Sequence, residues 1–270
     1  MNAMLVALTR WFLAPMALAL AACVDAPAVR VADVAPTGTL RVAIGVGPAA
    51  SAFWATRDAA SGQPRGVTVE LGKAGAAKLG VPMRLVEYRN SGEITAAASK
   101  DAWDISFMPQ DAEREKFVDV GPAYVVYESA YLVRAGSDIR NVADVDRAGI
   151  RVGGVEGTST SRTVGKALKH ASLTLYATPD AAVEVLGRGG LDALAMGRDA
   201  LAEFSRKMRG TRLLDEVIQS TGVVVVVPKN RPAAREWAAR FVEEAKTDGT
   251  VRRALDGAGF AKATVAPPAR

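Results

Sequence analysis

The chain has 270 residues, about half of them hydrophobic and about a quarter charged, a balance that supports a buried core and excludes a disordered or low-complexity array. At this length one core tends to split into two. The 34 basic and 29 acidic side chains are scattered and not interleaved with aromatics, so the net +5 points to weak attraction for anionic solutes and not to a nucleic-acid footprint.

The first segment has the form of an export signal. Arg10 is followed by an uncharged apolar run, Trp11 to Ala22, too short to span a bilayer comfortably but suited to a secretory leader. The run ends at Leu20-Ala21-Ala22-Cys23, with Cys23 the only cysteine. That tetrapeptide resembles the lipobox of bacterial lipoproteins, in which the cysteine is lipidated and becomes the new N-terminus, tethering a soluble domain by its acyl chains. The alternative is an ordinary leader cut at Ala19-Leu20-Ala21, with Cys23 a free thiol. On either reading the protein is exported; on the lipobox reading residues 1–22 are the signal peptide, and residues 23–34, rich in Ala, Val and Pro, form the anchor and tether.

From Gly38 strand-like and helix-like runs alternate. Leu40 to Ile44 reads as a buried strand, and Val67 to Leu79 as a helix closed by Gly80, weakened by Gly72 and Gly75. Pro82 to Tyr88 is a strand, Glu93 to Ala98 a short helix, and Ala102 to Phe107 a third strand. This βαβαβ order implies a parallel sheet with ligand chemistry at the C-terminal ends of its strands. A second unit follows: a strand over Val125–Val133, a helical turn over Val142–Val145, a strand at Ile150–Gly154, and a helix to about Lys169 after Gly157-Thr158-Ser159. Leu173–Tyr176 is a strand, Pro179–Arg188 a helix and Leu191–Ala195 a strand. Five consecutive valines in Gly222–Pro228 mark a fully buried strand, and helices over Ala233–Lys246 and Thr250–Leu255 close the chain.

Several stretches, in order, resemble the polar-amino-acid type of bacterial extracellular solute-binding proteins, the substrate-binding family 3 of ABC transporters. They are Gly38-Thr39-Leu40-Arg41-Val42; Gly66 to Leu71 with Lys78-Leu79-Gly80-Val81; Trp103-Asp104-Ile105 through Glu113-Arg114 and Val118-Asp119 to Pro122-Ala123-Tyr124; Gly189 to Ala193; and Asp248-Gly249-Thr250. The resemblance implies an α/β, two-lobed periplasmic-binding-protein fold of type II, each lobe a mainly parallel sheet flanked by helices. Lobe one would be 35–125 plus 222–263, lobe two 126–221, with 264–270 a C-terminal tail. Crossovers near Val126–Ala130 and Gln219–Gly222 would form the hinge. It also implies a monomer outside the cytoplasm, membrane-anchored through Cys23, that captures a small carboxylate-bearing solute and delivers it to ABC permease subunits.

By the same resemblance Arg114 clamps the ligand carboxylate, a role suited to its planar fork of donors; alone, the charged run Asp111–Lys116 reads as a solvated face. The threonine-containing approach to that arginine is replaced by Met108-Pro109-Gln110-Asp111, so Gln110 is the candidate substitute. Gly157, Thr158 and Ser159 precede a helix, where amides and hydroxyls receive an anion or simply cap the helix. Phe53 and Trp54 are candidates for an aromatic wall or for core, as is Phe107. The family places an aspartate where this chain has Gly197, to pair with a ligand ammonium; Asp199 is the candidate replacement, and Arg198 a candidate partner for a second anionic group.

The catalytic inventory is thin. His170 is the only histidine, at a basic helix end; no cofactor and no His/Cys metal set is expected, and the protein reads as a non-enzyme. Two alternatives remain: an exported lyase resembling cyclohexadienyl dehydratase on the same fold, with Asp111 or Asp199 as its acid, and a ligand-sensing component of a signalling system.

Overall fold

The computed structural model describes residues 29–47 and 51–269. The leader, Cys23 and most of the tether lie outside the described residues. The chain enters through the helical turn α1 (Val31–Val34) and reaches the first core strand β1 (Leu40–Gly45), five of whose six residues are buried. Val34 is itself fully buried and its carbonyl accepts from Arg231, so the tether expected to run to 34 is already part of the folded body there. A small hairpin, β2 (Thr56–Arg57) with β3 (Pro64–Arg65), leads into α2 (Val67–Leu79), which stops at Gly80 in the left-handed conformation. The glycines that weaken this helix in sequence let it pack closely: a Cβ on Gly72 would lie 3.1 Å from Val42 and Met83, and one on Gly75 3.3 Å from Trp237. β4 (Met83–Tyr88), α3 (Ser91–Ala96) and β5 (Ile105–Pro109) complete the βαβαβ unit, with β1 between β4 and β5, all parallel.

β6 runs unbroken from Val118 to Arg134, longer than the strand expected over Val125–Val133. The second unit is β7 (Arg151–Val155), α4 (Ser159–Ala167), β8 (Ser172–Tyr176), α5 (Pro179–Gly187) and β9 (Ala193–Gly197), with β7 parallel to both other strands. Then come α6 (Arg198–Lys207) and β10 (Thr211–Leu213), neither foreseen, followed by β11 (Gln219–Pro228), α7 (Pro232–Thr247) and α8 (Thr250–Gly257).

One continuous sheet path, β4-β1-β5-β11-β6-β9-β7-β8, joins the two parallel triplets through antiparallel β6 and β11. The hydrophobic clusters divide along that line. Two draw on residues 34–127 and 223–255; two others lie wholly between Ala130 and Leu214. The fold is therefore two-lobed, with β6 and β11 crossing together where Val126 faces Gly222 and Ser129 faces Gln219. The C-terminal segment is not a free tail. Val126 donates to the carbonyl of Thr264, Ala266 to that of Tyr124, and Val265 bridges to Val125, so it caps the edge of the crossing strands. Lys246, its ammonium almost fully buried, donates to the carbonyls of Ala123 and Pro267 and fastens that segment down.

Candidate functional site

A cavity of about 130 Å³ lies between the lobes, at the C-terminal ends of β1, β5, β7 and β9. Parallel sheets leave such crevices because each strand end turns into a helix start. Here Thr68 of α2, Ser91 of α3, Thr158 to Thr160 at the start of α4, and Gly197 and Ala200 at the start of α6 all line it. Thr158 is the N-cap of α4, accepting from the amide of Ser161. Among the described residues the amides of Ser159 and Thr160 have no protein acceptor, so they stand as free donors at the positive end of the helix dipole. Two contacts tie this helix start to the crossing strands: Thr160 to Ser129 at 2.7 Å, and Thr163 to Gln219 at 2.5 Å.

The lobes meet around the cavity. The Arg162 guanidinium on α4 pairs with Asp111 at 3.0 Å, and Asn90 donates to the carbonyl of Ala177 at 2.9 Å. The backbones of Gly92 and Gly157 touch: a Cβ on either would sit 2.7 or 2.5 Å from the other's Cα. This is a closed arrangement. For Asp111, burial acts to raise its pKa, but Arg162 and the Arg114 amide outweigh it and hold the carboxyl below the usual range.

Arg114 is 2% exposed and sits directly behind this polar end. Its Nε donates to Thr95 Oγ1 (3.1 Å), Nη1 to the Pro109 carbonyl (2.7 Å), and Nη2 to Ser91 Oγ (3.0 Å) and, across the lobes, to the Gly157 carbonyl (3.2 Å). All four acceptors are neutral oxygens. Burial, with the neighbouring Arg162, draws its pKa down to about 10. A buried cation without a bonded carboxylate creates a field that favours an anion nearby.

Of the residues singled out in sequence, Trp54, Phe107, Met108, Thr158 and Ser159 line the cavity. Arg114 lies one layer behind it and Gly157 on the seam between lobes. Phe53 is core, its ring packed 5.1–5.3 Å from those of Trp54, Tyr127 and Phe260. Gln110 does not take the place of the missing hydroxyl: it is exposed and donates to Glu115. Arg198 turns away, pairing with Glu128 at 3.0 Å and donating to the Asp215 carbonyl. Asp199 lies just behind the cavity wall: its Oδ1 is 3.0 Å from the Cβ position of Gly197, and it pairs with Ser51, both of which line the cavity. Burial raises its pKa against the opposing pull of the Ser51 hydroxyl and the first amides of α6.

Sequence reasoning did not single out Ser91, Thr160 and Tyr127. Ser91 had a readable signal, since Asn90 caps α3 through the amide of Glu93 as Thr158 caps α4. Tyr127 had none. Its hydroxyl lies over Gly197, 1.6 Å from where a Cβ would be, which explains the glycine at that position.

Residues 42–257 match the family of bacterial extracellular solute-binding proteins, family 3. The chain belongs to that family. Solved structures share its fold. An ancestral arginine-binding protein bound to arginine is 26% identical, over 82% of this chain and 98% of that one, with a TM-score of 0.74. An ancestral amino acid-binding protein described as a precursor of cyclohexadienyl dehydratase is 22% identical (84% and 98% covered, TM-score 0.74). An amino acid ABC transporter substrate-binding protein from Streptococcus pneumoniae, bound to L-arginine, is 20% identical (87% and 99%, TM-score 0.74). No curated protein sequence matches. In this solute-binding protein the interlobe cavity is therefore the candidate solute site. Among the described residues no helix is long and apolar enough to cross a membrane, and no cluster of metal-ligating side chains is present.

Proposed function

We propose that this solute-binding protein captures a small carboxylate-bearing solute outside the cytoplasm and delivers it to the permease of an ABC importer. Residues 35–125 with 222–263 and residues 126–221 act as the closing lobes. The observation that carries the reading is the polar end of the cavity. The Ser159 and Thr160 amides stand free beside Ser91, and behind Ser91 the buried Arg114 guanidinium has only neutral oxygens for acceptors. An anion there meets directed N–H donors and a positive field at once. Arg114 joins Ser91 on one lobe to Gly157 on the other, so its charge stands at the seam that closure forms. Export through the leader and anchoring through a lipidated Cys23 complete the proposal.

Binding without turnover is part of it. Asp111 is paired with Arg162 and held ionised, so it is not placed as a general acid toward a solute there.

The test is a thermal-shift series on the protein from Val24 onward with carboxylates, the matching amides and the matching amines. Carboxylates raise the midpoint in proportion to log concentration, and amides and amines do not. Equal shifts with amides would remove the anion from the account.

A further inference from the structure

The chain enters lobe one at the end farthest from the cleft. β1, β4 and β5 run parallel with their C-terminal ends at the cavity, so their first residues, Leu40, Met83 and Ile105, mark the opposite pole. Antiparallel β11 ends there at Pro228, paired with Val118 at the start of β6. The entering segment is fastened to this pole. Val34 is fully buried, and Arg231 donates to the carbonyls of Val34 (2.9 Å) and Asp33 (3.4 Å) while pairing with buried Asp104 at 3.0 Å. Val29 already packs against the core of the lobe. Only five residues, Val24 to Ala28, separate it from Cys23, and that length spans at most about 22 Å. An acylated Cys23 therefore keeps this pole close to the lipid surface.

The pole's charge suits an anionic surface. Its carboxylates are spent on ion pairs: Asp33 with Arg30, Asp101 with Arg41, Asp104 with Arg41 and Arg231, and Asp119 with Lys229. Three exposed cations have no carboxylate partner among the described residues: Arg84 in β4, Lys100 beside Asp101, and Arg235 in the first turn of α7. Val31, an exposed apolar side chain, stands next to Arg30 where the chain leaves the body. Cations around a single apolar contact are the composition that adheres to anionic headgroups.

We propose that this pole of lobe one, through Arg84, Lys100 and Arg235, rests on the anionic headgroups of the anchoring membrane and leaves the cleft open to the aqueous side. This rests on the reading that Cys23 is lipidated. The contact is electrostatic and screened by salt, so the domain is free to lift and turn on its tether toward a permease.

The experiment couples the protein from Cys23 onward, through its only thiol, to a maleimide-headgroup lipid in phosphatidylcholine vesicles with or without phosphatidylglycerol. Lysine acetylation rates are read by mass spectrometry. Phosphatidylglycerol slows acetylation of Lys100 and Lys229 threefold or more and leaves Lys166 and Lys169, at the far end of α4, unchanged. High salt abolishes the protection. Equal rates on the two vesicles, or protection of the lobe-two lysines instead, would overturn the proposal. Arg84→Glu with Arg235→Glu, both at exposed positions, removes the protection of Lys100 and Lys229. A double variant that folds by circular dichroism and stays protected would contradict the assignment. The anchor is read separately, by the mass of the mature chain expressed with its leader in bacteria. A Cys23 without acyl chains would overturn the anchor reading, and this proposal with it, whatever the coupled protein shows.

Discussion

Closure brings Gly92 and Gly157 together backbone to backbone, so a single methyl group there tests the closed state without touching the solute. In Gly92→Ala the new Cβ lies 2.7 Å from Gly157 Cα, 3.2 Å from its carbonyl carbon and 3.0 Å from Asn90 Oδ1, where ordinary contact begins near 3.4 Å. Main chain cannot swing aside as a flexible side chain would, so the lobes must part by roughly 0.7 Å at this seam. The Arg114–Gly157 hydrogen bond, 3.2 Å long, then stretches to roughly 3.9 Å, beyond useful reach. Overpacking of this kind costs about 1–3 kcal/mol. Because the two contacts with Gly157 exist only in the closed form, their cost appears in affinity, as a roughly 5- to 150-fold rise in Kd. Position 92 lies in α3 without a left-handed φ, so alanine meets only the Asn90 side chain within its own lobe, and the helix preference of up to about 1 kcal/mol offsets that contact. Gly157, at φ +66°, permits no such clean substitution. Titration with the carboxylate that gives the largest thermal shift on wild type reads the affinity, and a melt without solute reads the stability. An affinity within twofold of wild type would refute the closing contact.

Arg114→Met removes four hydrogen bonds and the field behind Ser91, and is expected to weaken carboxylate binding 100-fold or more by calorimetry; Arg114→Lys does not restore it, because one ammonium cannot meet four separated acceptors. Asp111→Asn breaks the partly buried pair with Arg162, worth about 1 kcal/mol. The Asp111 carboxyl is held below its ordinary range in the folded state, so its contribution is present above the unfolded value and lost as pH falls through the folded one. The Tm difference between wild type and Asp111→Asn is therefore constant above pH about 5 and shrinks below about 4, as differential scanning calorimetry will show. Asp199 has the opposite sign: burial favours its protonated form, so ionisation costs stability as pH rises. Asp199→Asn raises Tm at pH 7.5 and loses that gain in acid; a lower Tm at pH 7.5 would contradict the assignment.

The strand and helix order was legible wherever a run is buried on both faces, as in Leu40–Ile44 and the five valines of β11. The length of β6 was not. Pro122 offers no N–H to a ladder, and the strand passes it because the register against β11 shifts between Val223 and Val226. Helix α6 is obscured by five ionisable side chains among ten residues; its buried face is only Ala200, Leu201 and Phe204. In the site, Thr158 and Ser159 were readable because capping chemistry is local, and Trp54, Phe107 and Met108 because they lie near strand ends. Arg114 was readable as a residue but not in its direction, since its acceptors come from α3, from the end of β5 and from the other lobe. Arg198 and Gln110 were drawn toward the site by sequence proximity, yet each found a carboxylate partner outside it. Tyr127 depends on how the crossing strands set one lobe against the other, information that no local pattern carries.

The most direct test of capture by closure is calorimetric titration of the protein from Val24 onward with a series of small carboxylates, followed by proton NMR of the recovered solute. The account predicts saturation at one solute per chain and an unchanged spectrum. Chemical conversion of the solute at substoichiometric protein, or the absence of saturable heat from every carboxylate in the series, would contradict it.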